Sequence, residues 1–257
     1  MSLPEDSSSV ISKIKPVNLN LPNFSAVVYG YGMELPAYTL ARGMIALSGK
    51  PVNLLGLYDF LLLDLPYSEE SPILLVNGEM ELKEIENVVR PLGVKGLLIT
   101  CNDKSESQLK TVFLKGDMCE VNLSFSLVSW LTKNFSSPRT KRLTEELDLT
   151  DLGSWLGEIM KEIEPSLDFV LSPVLLPALN LMRENQGNKI KGFYEKDFSD
   201  SNVIYTGVDS MMGRRTAHQI RAMGKIAKEV VINTDPLTAP IYLSIMSYIF
   251  KNRTQGS

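Results

Sequence analysis

The sequence predicts an α/β protein built as two domains with mostly parallel sheets, the second abbreviated. Two observations predict it. Short, apolar, β-branched runs such as Ser25-Ala26-Val27-Val28-Tyr29 and Pro72-Ile73-Leu74-Leu75-Val76 alternate with longer segments of helical spacing, the pattern of βαβ units covered on both faces. The two halves also open alike: Val27-Val28-Tyr29-Gly30 is echoed by Val203-Ile204-Tyr205-Thr206-Gly207, a weak internal repeat that fits tandem related domains.

The elements follow in order. The first strand, 25–29, ends in Gly30-Tyr31-Gly32, and a helix follows over 34–48, with Leu40, Met44 and Leu47 at helical spacing and Gly49 as its stop. Residues 51–55 read as a second strand and 58–63 as a short helix or turn. A third strand, 72–76, leads through Asn77-Gly78 into an acidic helix over 79–89, and 94–100 reads as a fourth strand. After a change of composition near Asn134–Arg139, a charged helical stretch is expected over 143–164, stopped by Pro165, and an apolar helix over 170–182. Strand 202–207, helix 210–225, strand 229–233 and helix 236–250 complete the chain. The expected division is an N-terminal arm over 1–22, a first domain over 23–135, a helical connector over 136–200 and an abbreviated second domain over 201–257.

Composition narrows the function classes. At 257 residues the chain has room for two small domains. A net charge of −4 removes the electrostatic footprint of a nucleic-acid binder. The longest apolar run, Leu54–Leu65, is broken by Asp59 and Asp64, so no membrane span is expected. The acidic, polar start argues against a signal peptide. The two cysteines, Cys101 and Cys119, match no zinc or redox spacing and make no disulfide framework; a reducing cytoplasm is the expected compartment. With His218 the single histidine, no His-based metal site is expected.

Several motifs carry candidate chemistry. Gly30-Tyr31-Gly32 ends a strand before a helix, as in dinucleotide folds, but Leu35 stands where a third glycine belongs, so no nicotinamide cofactor is expected. Asn77-Gly78 lets the backbone approach an anion at a helix start; the same residues also read as an ordinary turn, with Glu79 and Glu81 complementing the helix dipole. Aldose–ketose isomerisation needs a base near the C-terminal strand ends. Asp209 and Asp235 stand at such places, although Asp is equally at home there as a helix cap or turn residue. Arg214, His218 and Arg221 share a helix face, read either as a phosphate contact with His218 assisting ring opening or as a solvated surface. Cys101 lacks a neighbouring histidine to activate it, so covalent catalysis is not expected.

The order strand, glycine turn, helix, strand, short helix, strand, Asn-Gly turn, helix, strand, Thr resembles a SIS (sugar isomerase) domain over residues 24–134, and more weakly over 200–250. Two such domains resemble the phosphosugar isomerases, nearest the archaeal phosphoglucose/phosphomannose isomerase-like branch in degenerate form. Gly30-Tyr31-Gly32-Met33-Glu34 keeps the glycines of the family's Gly-x-Gly-x-Ser turn. Leu75-Val76-Asn77-Gly78-Glu79-Met80-Glu81 aligns with its phosphate loop, with Asn77 and Met80 in place of hydroxyls; Thr100, Ser105 and Ser107 fit the next strand end and serine-rich turn. Ala217-His218-Gln219-Ile220-Arg221-Ala222 aligns with the helix that carries the isomerase base, keeping Gln219 and placing Ala222 at the Glu position.

The resemblance implies two SIS-like three-layer sandwiches and a homodimer; from the residues themselves, no cofactor and no metal are expected. Its ligand would be a small-molecule sugar phosphate, with Gly30, Gly32, Asn77, Gly78, Thr100, Ser105, Ser107, Arg214 and Gln219 on the substrate or phosphate and His218, Asp209 and Asp235 in catalysis. The implied function is binding of a carbohydrate derivative with aldose–ketose isomerase activity of the phosphoglucose/phosphomannose type; the alternative is a non-catalytic sensor or structural paralogue on the same fold. Neither nucleic acid nor membrane is an expected partner.

Overall fold

The structure, a computed structural model, describes residues 3–67, 71–103, 108–195 and 197–255. The chain forms two compact units, Lys15–Thr144 (the first unit) and Met1–Ile14 with Glu145–Ser257 (the second). Each is an α/β unit on a wholly parallel sheet, the class predicted from the alternation of apolar runs and helices.

In the first unit the strands are β1 (Ala26–Tyr29), β2 (Asn53–Gly56), β3 (Pro72–Leu75), β4 (Leu97–Thr100) and β5 (Lys110–Phe113), paired in the order β2-β1-β3-β4-β5. Register is unbroken: Val27 lies opposite Leu54 on one side and Ile73 on the other, and Leu74 opposite Leu98. β1, β3 and β4 are central, and almost every residue in them is buried. That burial explains their unbroken apolar sequence, and each such side chain contributes about 1.5–3 kcal/mol.

Alternate residues serve opposite faces of the sheet. Ala26, Val28, Leu74, Val76 and Leu98 pack with Leu57, Phe60 and Leu61 and with Leu82, Ile85 and Val89. The last three lie on the helix Glu79–Leu92. The other face is covered by the packed pair Glu34–Ser48 and Cys119–Asn134. The segment read as a short helix or turn is an α turn, Leu57–Asp59, running into a π turn, Phe60–Asp64.

The second unit contains β6 (Asp168–Leu171), β7 (Ile190–Gly192), β8 (Ser201–Thr206) and β9 (Ala227–Ile232), in the order β7-β6-β8-β9. This is the order of the first sheet without its last strand. β6 therefore takes the place of β1, and β8 that of β3. The repeat read from the sequence set Val203-Ile204-Tyr205 beside Val27-Val28-Tyr29; topology instead pairs it with the strand before Asn77-Gly78. The helix Ser210–Ala222 packs on β8 and β9 through Ala217 and Ile220. Gly213 has the Tyr205 ring against its Cα, where any Cβ would collide with it.

Other local expectations change. The helix expected over 170–182 is β6 followed by a 3-10 turn, Pro173–Ala178, and a helix, Leu179–Gln186. Pro173 and Pro177 lack the N–H that a continuous α-helix needs, and the ladder of β8 pairs with Phe169, Val170 and Leu171 instead. β6 and β7 both lie in the stretch expected to be a helical connector. The helix expected over 143–164 is two, Pro138–Glu146 and Leu152–Glu162, parted by a turn in which Asp148 accepts the Thr150 N–H at 3.0 Å. Within the stretch expected to be an arm, Leu3–Ile11 forms a helix packed on Leu152–Glu162 and Ala239–Gln255.

Candidate functional site

In both sheets the chain reverses its winding beside the first strand, between β1 and β3 in one unit and between β6 and β8 in the other. Open parallel sheets bind ligands outside the strand C-termini at such switch points.

At the β1–β3 switch point the backbone turns tightly. Gly30 N–H donates to Leu75 O at 2.9 Å and Met33 N–H to Gly30 O at 3.1 Å, with Gly32 at φ 79°, a conformation that glycine adopts freely. Across from it, Gly78 is the N-cap of helix Glu79–Leu92 and offers no side-chain cap. Between the two glycines lies the carboxylate of Glu81. Its Oε1 accepts the Tyr31 N–H at 3.0 Å. Its Oε2 is buried, has no hydrogen-bond partner among the described residues, and sits so close to Gly30 and Gly78 that a Cβ on either would collide with it. The crevice thus already holds an anionic group on a backbone N–H at a helix N-terminus, where the dipole favours negative charge.

Asn77 and Thr100 stand next along the strand ends. Asn77 Oδ1 accepts the Cys101 N–H at 3.3 Å, Asn77 O accepts from Asn102 Nδ2 at 3.3 Å, and Thr100 Oγ1 accepts the Asn102 N–H at 3.1 Å. Both side chains therefore order the loop after β4. Ser105 and Ser107 lie outside the described residues. The same loop carries a feature that sequence reasoning missed: Cys101, just past β4, is disulfide-bonded to Cys119 at the start of helix Cys119–Asn134, with Cα atoms 6.1 Å apart. Eighteen residues separate them, and no spacing rule signals such a pair.

An acidic, tyrosine-rich rim adjoins the crevice. Tyr58 hydrogen-bonds Glu84, and this bond, then partial burial and the Glu84 and Glu81 charges, raise its phenol above the ordinary value. The Tyr29 phenol is also raised, by burial first and then by Tyr38, Glu34 and Asp59. Among the described residues no group of three or more His, Cys, Asp or Glu side chains is arranged to hold a metal ion.

The β6–β8 switch point repeats the device with a different outcome. Asp209 is only 7% exposed. Its Oδ1 accepts both the N–H and the hydroxyl of Thr206 at 2.8 Å, and its Oδ2 accepts the Val174 N–H at 2.9 Å. It precedes Ser210–Ala222 without capping it by a side-chain bond. The carboxylate ties the loop after β6 to the end of β8.

Asp235, 4% exposed, accepts the Leu237 N–H at 2.9 Å, while its own N–H donates to Glu146 Oε1 at 3.0 Å. It shapes the turn into Ala239–Gln255. Arg214, His218 and Gln219 are exposed on Ser210–Ala222. His218 lies about 12 Å along that helix from its first residue, at 1.5 Å per residue, and so away from the strand C-termini of its own unit. Arg221 pairs with Glu229 at 2.9 Å, and the Tyr205 hydroxyl donates to the same carboxylate at 2.8 Å. Burial opposes ionisation of Glu229, but the bonds from Tyr205 and Arg221 and the charges of Arg221 and Arg214 prevail and lower its pKa.

No protein-family model matches the sequence, and no curated protein matches it. Solved structures do match over nearly the whole chain. It aligns with a glucosamine-6-phosphate deaminase of Thermotoga maritima at TM-score 0.64 and 14% identity, over 99% of this chain and 93% of that one. It aligns with a tagatose-6-phosphate ketose/aldose isomerase of Escherichia coli at TM-score 0.57 and 11% identity, over 98% and 86%. The C-terminal domain of glucosamine-fructose-6-phosphate aminotransferase from Francisella tularensis aligns at TM-score 0.56 and 10% identity, over 97% and 92%. The chain shares their fold, the one that the sequence resemblance implied. Among the described residues no helix is long and apolar enough to cross a membrane.

Proposed function

We propose that this protein binds a sugar phosphate at the β1–β3 strand ends. The observation that carries the reading is the anion already seated there: the Glu81 carboxylate on the Tyr31 N–H, between Gly30 and Gly78. A group of that charge and size in that place stands where a phosphate would sit. Gly30, Gly32, Asn77, Gly78, Thr100, Ser105 and Ser107 form the ligand-binding set of the first unit in this proposal. Isomerisation between aldose and ketose phosphates of the glucose/mannose type is the activity that the sequence resemblance favours, in a homodimer.

A second reading, a non-catalytic sensor or structural paralogue, is favoured by Asp209 and Asp235. Both expected bases are engaged in backbone bonds of their own unit, and a base bound in that way is poorly placed to exchange protons with a substrate.

Thermal unfolding in the presence of hexose and pentose phosphates, with inorganic phosphate and the free sugars as controls, tests the binding. A ligand that prefers the folded state raises the melting temperature. Stabilisation by one sugar phosphate and not by its free sugar is expected. The stabilising ligand is then followed by NMR for interconversion, which separates isomerase from sensor. No stabilisation by any member at millimolar concentration rejects the proposal.

A further inference from the structure

We propose that the Glu81 side chain is a built-in gate: its carboxylate occupies the β1–β3 crevice, and an incoming phosphate must displace it. The inference rests on the sugar-phosphate reading above and says what controls that site.

The two switch points make the argument by contrast. Asp209 satisfies three donors with its two oxygens and is almost fully buried. Removing it would take an acceptor from Val174 N–H and from Thr206 N–H, so it is fixed. Glu81 makes one bond, to Tyr31 N–H, and its second oxygen is buried against two glycines with no hydrogen-bond partner among the described residues. A buried carboxylate oxygen without a donor costs free energy that is recovered when it returns to water. Glu81 is only partly buried as a residue, on an α-helix with solvent-exposed Met80 and Lys83 beside it, so its side chain has room to swing out.

The glycines fit the same picture. With no Cβ at 30 or 78, the vacated space is bounded by backbone, and the Tyr31 N–H and the N-terminus of Glu79–Leu92 face it. A phosphate could take over those donors, as anions do at helix N-termini. Until it does, the tethered carboxylate competes with it as a ligand at an effective concentration of roughly millimolar order.

The test is calorimetric titration of inorganic phosphate and of glucose 6-phosphate into the wild-type protein, Glu81→Ala and Glu81→Gln. Glu81→Ala is expected to bind both ligands about tenfold tighter or more, because it removes both the occupant and the charge. Glu81→Gln keeps the shape, removes the charge, and is expected to gain by a smaller factor. It also decides the matter if the alanine variant does not fold. Equal affinities in all three proteins overturn the gate while leaving the sugar-phosphate reading intact. Absence of binding by wild type and variants alike overturns both. Gain of phosphate binding with no binding of glucose 6-phosphate by any of the three proteins supports the gate and rejects that sugar phosphate as the ligand.

Discussion

The Tyr31 N–H and the Glu81 carboxylate meet at 3.0 Å across the β1–β3 switch point, and the second unit makes the corresponding bond between Val174 N–H and Asp209 at 2.9 Å. In each unit a carboxylate that follows the third-position strand reaches back to an N–H just beyond the first-position strand. The repeat within this chain therefore extends past topology to a polar contact at the point where parallel sheets receive ligands.

Asp209→Ala takes the acceptor from the buried Thr206 N–H and from the part-buried Val174 N–H. A buried donor that loses its acceptor costs about 1–3 kcal/mol and a part-buried one less, so chemical denaturation is expected to show a loss of about 2–4 kcal/mol. Glu81→Ala removes one exposed bond and is expected to cost less than about 1 kcal/mol. Equal costs would mean that the two carboxylates are held alike.

The Cys101–Cys119 bond closes a loop of 18 residues. Constraining such a loop in the unfolded chain corresponds to about 3 kcal/mol in the chain-entropy account. A Cys101→Ser, Cys119→Ser double variant is expected to unfold at lower denaturant by about that amount, and addition of a dithiol reductant is expected to destabilise the wild type but not the variant. A variant as stable as wild type would show that the bond does not constrain the unfolded state.

Stability should fall on the alkaline side. Tyr242 is buried and its hydroxyl donates to Glu146 O; burial and then the Glu146 charge raise its phenol well above 10.0. Tyr205 shifts the same way, by burial and then its bond to Glu229. A raised folded pKa means stability that is fully present below the unfolded value and lost as pH rises past it, since the unfolded phenol ionises first. Unfolding free energy is expected to decline above about pH 10, and Tyr242→Phe should flatten that decline. An alkaline limb unchanged in the variant would place the effect elsewhere.

Much of the fold was legible in the sequence because central parallel strands must be apolar on both faces. β1, β3, β4 and β8 each declared themselves in this way, while the edge strand β9 was read from its Val230-Val231-Ile232 run. β6 did not: Asp168–Leu171 runs straight into Ser172-Pro173-Val174-Leu175-Leu176-Pro177, and an apolar run without periodicity reads equally as helix or strand. Missing β6 set the internal repeat two strands out of phase and placed the Gly207–Ser210 turn opposite the wrong loop.

Of the candidate site, the glycines were legible and the occupant was not. Glu81 read as a helix-dipole partner, which its position supports, but which N–H its carboxylate reaches depends on Gly30, fifty-one residues away in sequence. Asp209 and Asp235 were recognised as candidates by their place at strand ends. Their bonds to Val174, Thr206 and Leu237 depend on tertiary placement that no spacing announces.

The most direct test of the account is the amide spectrum of the nitrogen-15-labelled protein titrated with glucose 6-phosphate. The account predicts that the Tyr31 amide shifts as the carboxylate bond is replaced, together with those of Gly30, Gly78 and Met80, while Val174 and Thr206 stay in place. Shifts confined to other residues, with Tyr31 unmoved at saturation, would contradict it.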